Sequence, residues 1–175
     1  MNIKSLLEQF RLLEDYLLVK EINSQTDKDK VLNDYNQYYN PNGNGAGYYG
    51  GHRITSAVGT RDFGRGKHYG LDLAFSLNEP VKSFCDGCVI IARYEAGGYG
   101  NVVYISDKNK YWHVYGHLNQ INVKVGQNVS TKDIIGLAGN TGASKGVHLH
   151  YSIWKPIKGS HESERAIDPR LYRYP

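Results

Sequence analysis

Two of the 175 residues are cysteine, one is methionine and five are proline. A single cysteine pair can build neither a disulfide-stapled framework nor a four-ligand structural zinc site. No stretch of about 18 consecutive apolar residues occurs, which excludes a membrane-spanning helix. Charge of one sign is scarce as well. The formal charge is only +4, and the basic residues are dispersed, so nucleic acid is not an expected partner. What the chain has in quantity is glycine (20) and tyrosine (15), beside 40% apolar and 22% charged residues. That is the balance of a globular protein, long enough for one well-buried domain with an appendage. Glycine supplies the positive-φ positions that tight hairpins need, so the expected fold is rich in β-structure.

Residues 1–22 differ in texture from the rest. Leu6, Phe10, Leu13 and Leu17 recur at helical spacing, with Ile3 and Leu7 beside them, which predicts an amphipathic helix with one apolar stripe. Roughly five turns of isolated helix are marginal in water. The helix therefore needs a surface to dock on: its own domain, a second copy or a partner. Glu8, Arg11, Glu14 and Asp15 interrupt what a secretion signal would keep apolar, so none is expected here. Residues 23–52 are rich in Asn, Gly and Tyr and read as a linker, whose tyrosines would suit a cover over a nearby aromatic groove.

From residue 53 to 158 short apolar segments alternate with turn signals at 86–87, 97–100, 107–110 and 139–142. That pattern predicts an antiparallel sheet or sandwich. The tail, 159–175, is charged and irregular.

The chemistry lies in histidines. "KHYGLDLAF" carries His68 and Asp72, "WHVYGHL" carries His113 and His117, and "GVHLHYSIW" carries His148 and His150. Residues i and i+2 of a strand share a face, and so do i and i+4. Imidazole and carboxylate are both zinc ligands, and a catalytic zinc needs three of them with an open fourth position. His68, Asp72 and one histidine of the HLH pair meet that requirement; the other is left for proton transfer. Spacing does not say which histidine does which. His52 and His161 fall in polar, loop-like stretches and read as exposed.

In order, "RITSAVGTR", "HYGLDLA", "PVKSFCDGCV", "GGYGNVVYI", "YGHL", "VKVGQNV" and "IIGLAGNTGASKGVHLHYSI" resemble the lysostaphin-type (LytM-like) zinc metallopeptidases. These enzymes cut peptide crosslinks in bacterial peptidoglycan. The resemblance spans roughly residues 53–154. It implies a mainly β fold with the metal in the floor of an open groove, and Zn2+ on His68, Asp72 and His150. It implies catalytic roles for His117 and His148, and gives His113 none. "SLNEPVKSF" departs from the family at Asn78 and Glu79, where small residues are usual, which puts the local turn in question. The two cysteines of "FCDGCV" flank an expected Asp86-Gly87 hairpin turn; packed free thiols are the favoured reading, a cross-hairpin disulfide the alternative.

The expected function is zinc-dependent endopeptidase action on peptidoglycan crosslinks. A wall hydrolase without a signal or membrane span fits a phage protein, mounted on the virion tail or released outward to the wall at lysis. The helix would then dock on other tail proteins or on itself. An inactive wall-binding or structural member of the same fold, or a cellular autolysin, is the alternative. No ligand or catalytic residue is missing, which disfavours the inactive form.

Overall fold

Between residues 149 and 154 Leu, Tyr and Ile alternate with His, Ser and Trp. This is the period-two pattern of a strand with one face on a core. The structure is a computed structural model describing residues 47–60, 67–155, 165–170 and 172. In chain order its strands begin with β1 (Tyr48–Tyr49), β2 (His52–Ser56), β3 (Gly59–Thr60), β4 (Lys67–His68), β5 (Leu71–Leu73) and β6 (Pro80–Lys82). They continue with β7 (Gly87–Glu95), β8 (Gly100–Ser106), β9 (Trp112–Ile121), β10 (Asn128–Val129), β11 (Ile134–Ala138), β12 (Leu149–Lys155) and β13 (Arg165–Ile167).

Eleven of them join one sheet, whose main path runs β1-β2-β5-β12-β9-β8-β7-β10. β11 pairs with both β6 and β9, and β13 pairs with β12, while β3 and β4 form a separate ribbon. Every pairing is antiparallel. This is the mainly β, antiparallel fold expected from the sequence. The expected helix over 1–22 lies outside the described residues, as does His161.

One face of β12, β9 and β8 is core. Leu149, Tyr151 and Ile153 meet Tyr115, Val103 and Ile105, all fully buried. Two buried tyrosines keep their hydroxyls paired, as burial demands. The Phe84 N–H donates to Tyr115 Oη at 2.8 Å, and Tyr151 Oη lies 2.7 Å from His113 Nδ1.

The sheet overruns the limits of 53–158 at both ends. Tyr48–Tyr49 pairs with Arg53 and His52, and Tyr49 packs on Phe84 and Tyr151 in the core, not over a groove. At the other end β13 pairs with Ile153–Lys155, and Asp168 and Tyr172 are buried. His52, expected exposed in a loop, opens β2 and stacks on Phe75 at 3.7 Å.

The Asp86-Gly87 hairpin does not form. Gly87 already belongs to β7, and β6 pairs with β11 instead. Asp86 instead accepts the Thr131 N–H and hydroxyl. Cys85 and Cys88 are free thiols; burial pushes the Cys85 thiol up to about 12, which keeps it protonated and inert. The turn in question at Asn78 and Glu79 closes on its own residues. The Ser76 N–H donates to Glu79 Oε2 at 2.8 Å, and Asn78 takes the left-handed φ of 63°.

Behind the sheet, buried Asp107 organises the β8–β9 turn. Its Oδ1 accepts the Asn109 and Tyr111 N–H groups, and Oδ2 faces His113 Nε2 and the Tyr172 hydroxyl. Burial pushes the carboxyl up, but the bonds from His113 and Tyr172 outweigh it and hold its pKa below the ordinary carboxylate value. A carboxyl depressed in the folded state stabilises fully above its unfolded pKa of about 3.9, and that contribution fades as the pH falls below it. Asp107→Asn is therefore expected to lower Tm at neutral pH and to flatten its fall below about pH 4. Thermal melts across pH check this; an unaltered acid slope would remove Asp107 from the account.

Candidate metal centre

His68 and Asp72 are four residues apart, and in a straight strand that spacing separates them by roughly 13 Å. Here His68 Nε2 lies 3.0 Å from Asp72 Oδ1. The chain bends between β4 and β5 at Tyr69-Gly70, and Gly70 permits the bend. A Cβ there would stand 2.5 Å from the Tyr151 carbonyl oxygen and 2.7 Å from His150 Nε2. Gly70→Ala must therefore push β5 from β12 at the centre itself. Metal affinity is expected to fall at least 10-fold, by analogy with losses of supporting contacts around metal ligands. Titration with zinc against a competing chelator checks it, and unchanged affinity would refute the role given to Gly70.

The third member arrives by strand pairing. His150 on β12 is the register partner of Asp72 on β5, which sets the two side chains next to each other on one face. His150 Nδ1 lies 3.0 Å from Asp72 Oδ1 and 3.1 Å from His68 Nε2. One ligand atom from each of the three falls within 4.8 Å of the others.

His68 is steered from behind, whereas His150 Nε2, on the far side of its ring, is buried with no hydrogen-bond partner. His68 Nδ1–H donates to the Ala57 carbonyl at 2.9 Å, which turns the Nε2 lone pair inward. Burial pushes the His150 pKa down to about 4, against the pull of Asp72, so its ring is neutral at pH 7. Burial also pushes Asp72 up, but the close approach of His148, His150 and His68 reverses this and holds it far below the ordinary range. His68 Nε2, His150 Nδ1 and the Asp72 carboxylate thus crowd together in a nearly dry site. That is costly unless a cation sits among them. Spacings of 3.0–3.1 Å also approximate the edge, about 3.3 Å, of a tetrahedron with zinc–nitrogen bonds of about 2.05 Å. The donor set fits zinc.

His148 and His117 complete the cluster. His148 anchors Nδ1–H on the Gly146 carbonyl at 2.8 Å, and its Nε2 is 3.4 Å from Asp72 Oδ1. His117 anchors Nδ1–H on the Thr141 carbonyl at 2.8 Å, and its ring centroid is 4.7 Å from that of His148. Strand alternation would turn His117 toward the core with Tyr115 and His113. A left-handed φ of 62° turns it over to the metal side. All five residues singled out in the sequence therefore meet in one place, while His113 stays in the core.

Sequence reasoning missed the supports. The Tyr99 carbonyl accepts the His117 N–H at 2.7 Å, and its ring lies 5.3 Å from that of His150. Thr141 holds His117 through its carbonyl and ties two strands through its hydroxyl. Both sit in the "GGYG" and "GNTG" segments, where the glycine signal registered only as turns. Those turns pack tightly: a Cβ on Gly142 would meet Gly100 N at 2.3 Å.

The fold and centre together define an antiparallel β-sheet protein of metallopeptidase type. The sequence profile described as Peptidase family M23 matches residues 66–169, and the chain belongs to that family, whose metallopeptidases are zinc-dependent. Its closing residue, Pro169, lies beyond β13, in keeping with a sheet that runs past residue 158.

Among solved structures, the catalytic domain of lysostaphin from Staphylococcus simulans superposes with a TM-score of 0.61 at 30% identity. It covers 67% of this chain and 89% of its own. A zinc-containing peptidase from Vibrio cholerae gives a TM-score of 0.58 at 32% identity, over 70% of this chain and 37% of its own. Peptidoglycan DD-endopeptidase ShyA of Vibrio cholerae is 44% identical over 86 residues, 49% of this chain and 20% of that protein. The first curated relatives are matched over only 20% to 28% of their lengths.

Proposed function

We propose that this chain is a zinc-dependent endopeptidase acting on the peptide crosslinks of bacterial peptidoglycan. His68, Asp72 and His150 are its metal ligands, and His117 and His148 its catalytic histidines. The observation that carries this reading is the convergence of three ligand atoms within 4.8 Å, beside two further imidazoles anchored from behind. Zinc in such a site supplies Lewis-acid polarisation of a carbonyl and activation of water. With Nδ1–H committed to backbone carbonyls, His117 and His148 exchange protons through Nε2. Once protonated, each favours the negative charge that develops on the scissile carbonyl oxygen. The name of ShyA, a peptidoglycan DD-endopeptidase, supports the substrate class.

Purified peptidoglycan with direct crosslinks and with glycine-bridged crosslinks, digested and resolved by mass, tests the reading. New amine termini from at least one wall, lost with chelator and regained with zinc, are expected. Wall binding without any release would favour the inactive wall-binding alternative. Assignment to a phage virion tail or lysis enzyme, with residues 1–22 as the docking helix, is a separate proposal. Detection of the chain in purified virions or phage lysates checks it, and absence from both rejects it.

A further inference from the structure

The metal side of the sheet, opposite the core, carries an arc of aromatic rings that runs from beside His150 to beside His68. Tyr99, next to His150, lies 6.3 Å from Tyr104, and Tyr104 lies 6.3 Å from Trp112. Trp112 is the cross-strand register partner of Trp154, which sets the two side chains on the same face. Trp154 lies 5.7 Å from Tyr69, the residue after His68. Beneath the arc, Val102, Val114 and Ser152 are completely buried, while Tyr69 is 48% exposed and the other four rings are half-buried.

The chemistry of this face selects its occupant. Trp154 Nε1–H donates inward to Ser152 Oγ at 2.9 Å, so the indole offers its carbon surface outward. Underneath, β12 is paired with β9 on one side and with β5 and β13 on the other, and β9 with β12 and β8. The backbone groups there are spent within the sheet, and an extended peptide would find no strand edge to join. A pyranose ring has the opposite needs. Its faces are C–H surfaces and its hydroxyls lie at the rim, which suits stacking on one aromatic ring at a time, since neighbouring rings of the arc are tilted to each other at 83°, 70° and 47°.

We propose that this arc binds the glycan strand of the substrate, the N-acetylated amino-sugar polymer that carries the crosslinked peptides. The inference rests on the endopeptidase reading above and adds a sugar subsite beside the peptide-cutting centre.

Trp112 and Trp154 are the chain's two tryptophans, so intrinsic indole fluorescence reports on this face alone. Titration of the full chain with N-acetylchitotetraose is expected to change that emission saturably, with Kd in the range of about 0.1–5 mM, ordinary for a small, solvent-edged site. The change should occur with or without zinc. Tyr69→Ser, at the exposed end, should weaken the response, and Trp154→Ala more so. Loss of an interface aromatic usually costs a factor of about 10. Both variants should raise KM for glycan-bearing crosslinks over KM for the same peptides without sugar by a similar factor, about 10-fold.

A flat titration to roughly 20 mM, well above the expected Kd, would overturn the inference, whether the face is bare or covered by another part of the chain. So would variants that move KM equally for both substrates. An unaltered chain that cuts neither substrate would instead overturn the endopeptidase reading, and the fluorescence titration would still decide the sugar site.

Discussion

His148→Ala is expected to retain zinc and lose about 10²–10⁴-fold in kcat, whereas His150→Ala loses the zinc itself. The two residues are separated by a single leucine, so the contrast tests the division of labour between His150 on β12 and His148 just before it. His150 sits inside the ligand triangle, 3.0 Å from Asp72 Oδ1 and 3.1 Å from His68 Nε2, with its side chain 8% exposed. His148 stands at the rim, at 3.4 Å from Asp72 Oδ1 and 18% exposed, tied back by Gly146. Removing His150 leaves two protein ligands, one short of what a catalytic zinc site requires. Removing His148 leaves all three and deletes a proton carrier. Metal content after dialysis in a zinc buffer, measured alongside turnover, decides it. Equal zinc loss in both variants would make His148 a ligand, and full activity in both would sink the assignment.

A second pair of substitutions separates chemistry from backbone strain at His117. His117→Asn and His117→Val should each reduce kcat by about 10²–10⁴-fold, because neither side chain carries protons near neutrality. Their stabilities should diverge. Asparagine accepts a left-handed φ readily, whereas a β-branched residue there is a true outlier. Val is therefore expected to cost about 1–3 kcal/mol more than Asn, read as the difference in unfolding free energy in urea. Equal stabilities would mean that the backbone relaxes and that the φ of 62° is not imposed by its surroundings. Survival of activity in the Asn variant would remove His117 from catalysis.

These contrasts trace what could be read before any coordinates. Alternation along 149–154 made β12 legible, and with it the shared face of His148 and His150. The turns at 97–100, 107–110 and 139–142 were legible from glycine, asparagine and aspartate. The hairpin at Asp86-Gly87 misled because a turn-forming dipeptide also serves to open a strand, and pairing of β6 with β11 decided which. The linker reading overran into Tyr48–Tyr49 because an Asn/Gly-rich neighbourhood hides a two-residue strand whose stability comes from Tyr49 packing on Phe84 and Tyr151. Tyr99 and Thr141 went unseen for a related reason: both hold His117 through their backbone carbonyls, which carry no sequence signature.

By itself the sequence determined the donor types, their order along the chain and the β texture that holds them, because side-chain chemistry and strand periodicity are local properties. Which histidines share the metal side was decided only in three dimensions. A straight strand would leave His68 and Asp72 roughly 13 Å apart and His117 facing the core. The bend that Gly70 allows, the register of β12 on β5 and one left-handed residue in β9 bring them together. Each of these depends on contacts between segments remote in sequence, and a ligand set becomes a site only when such contacts close the distances to about 3 Å.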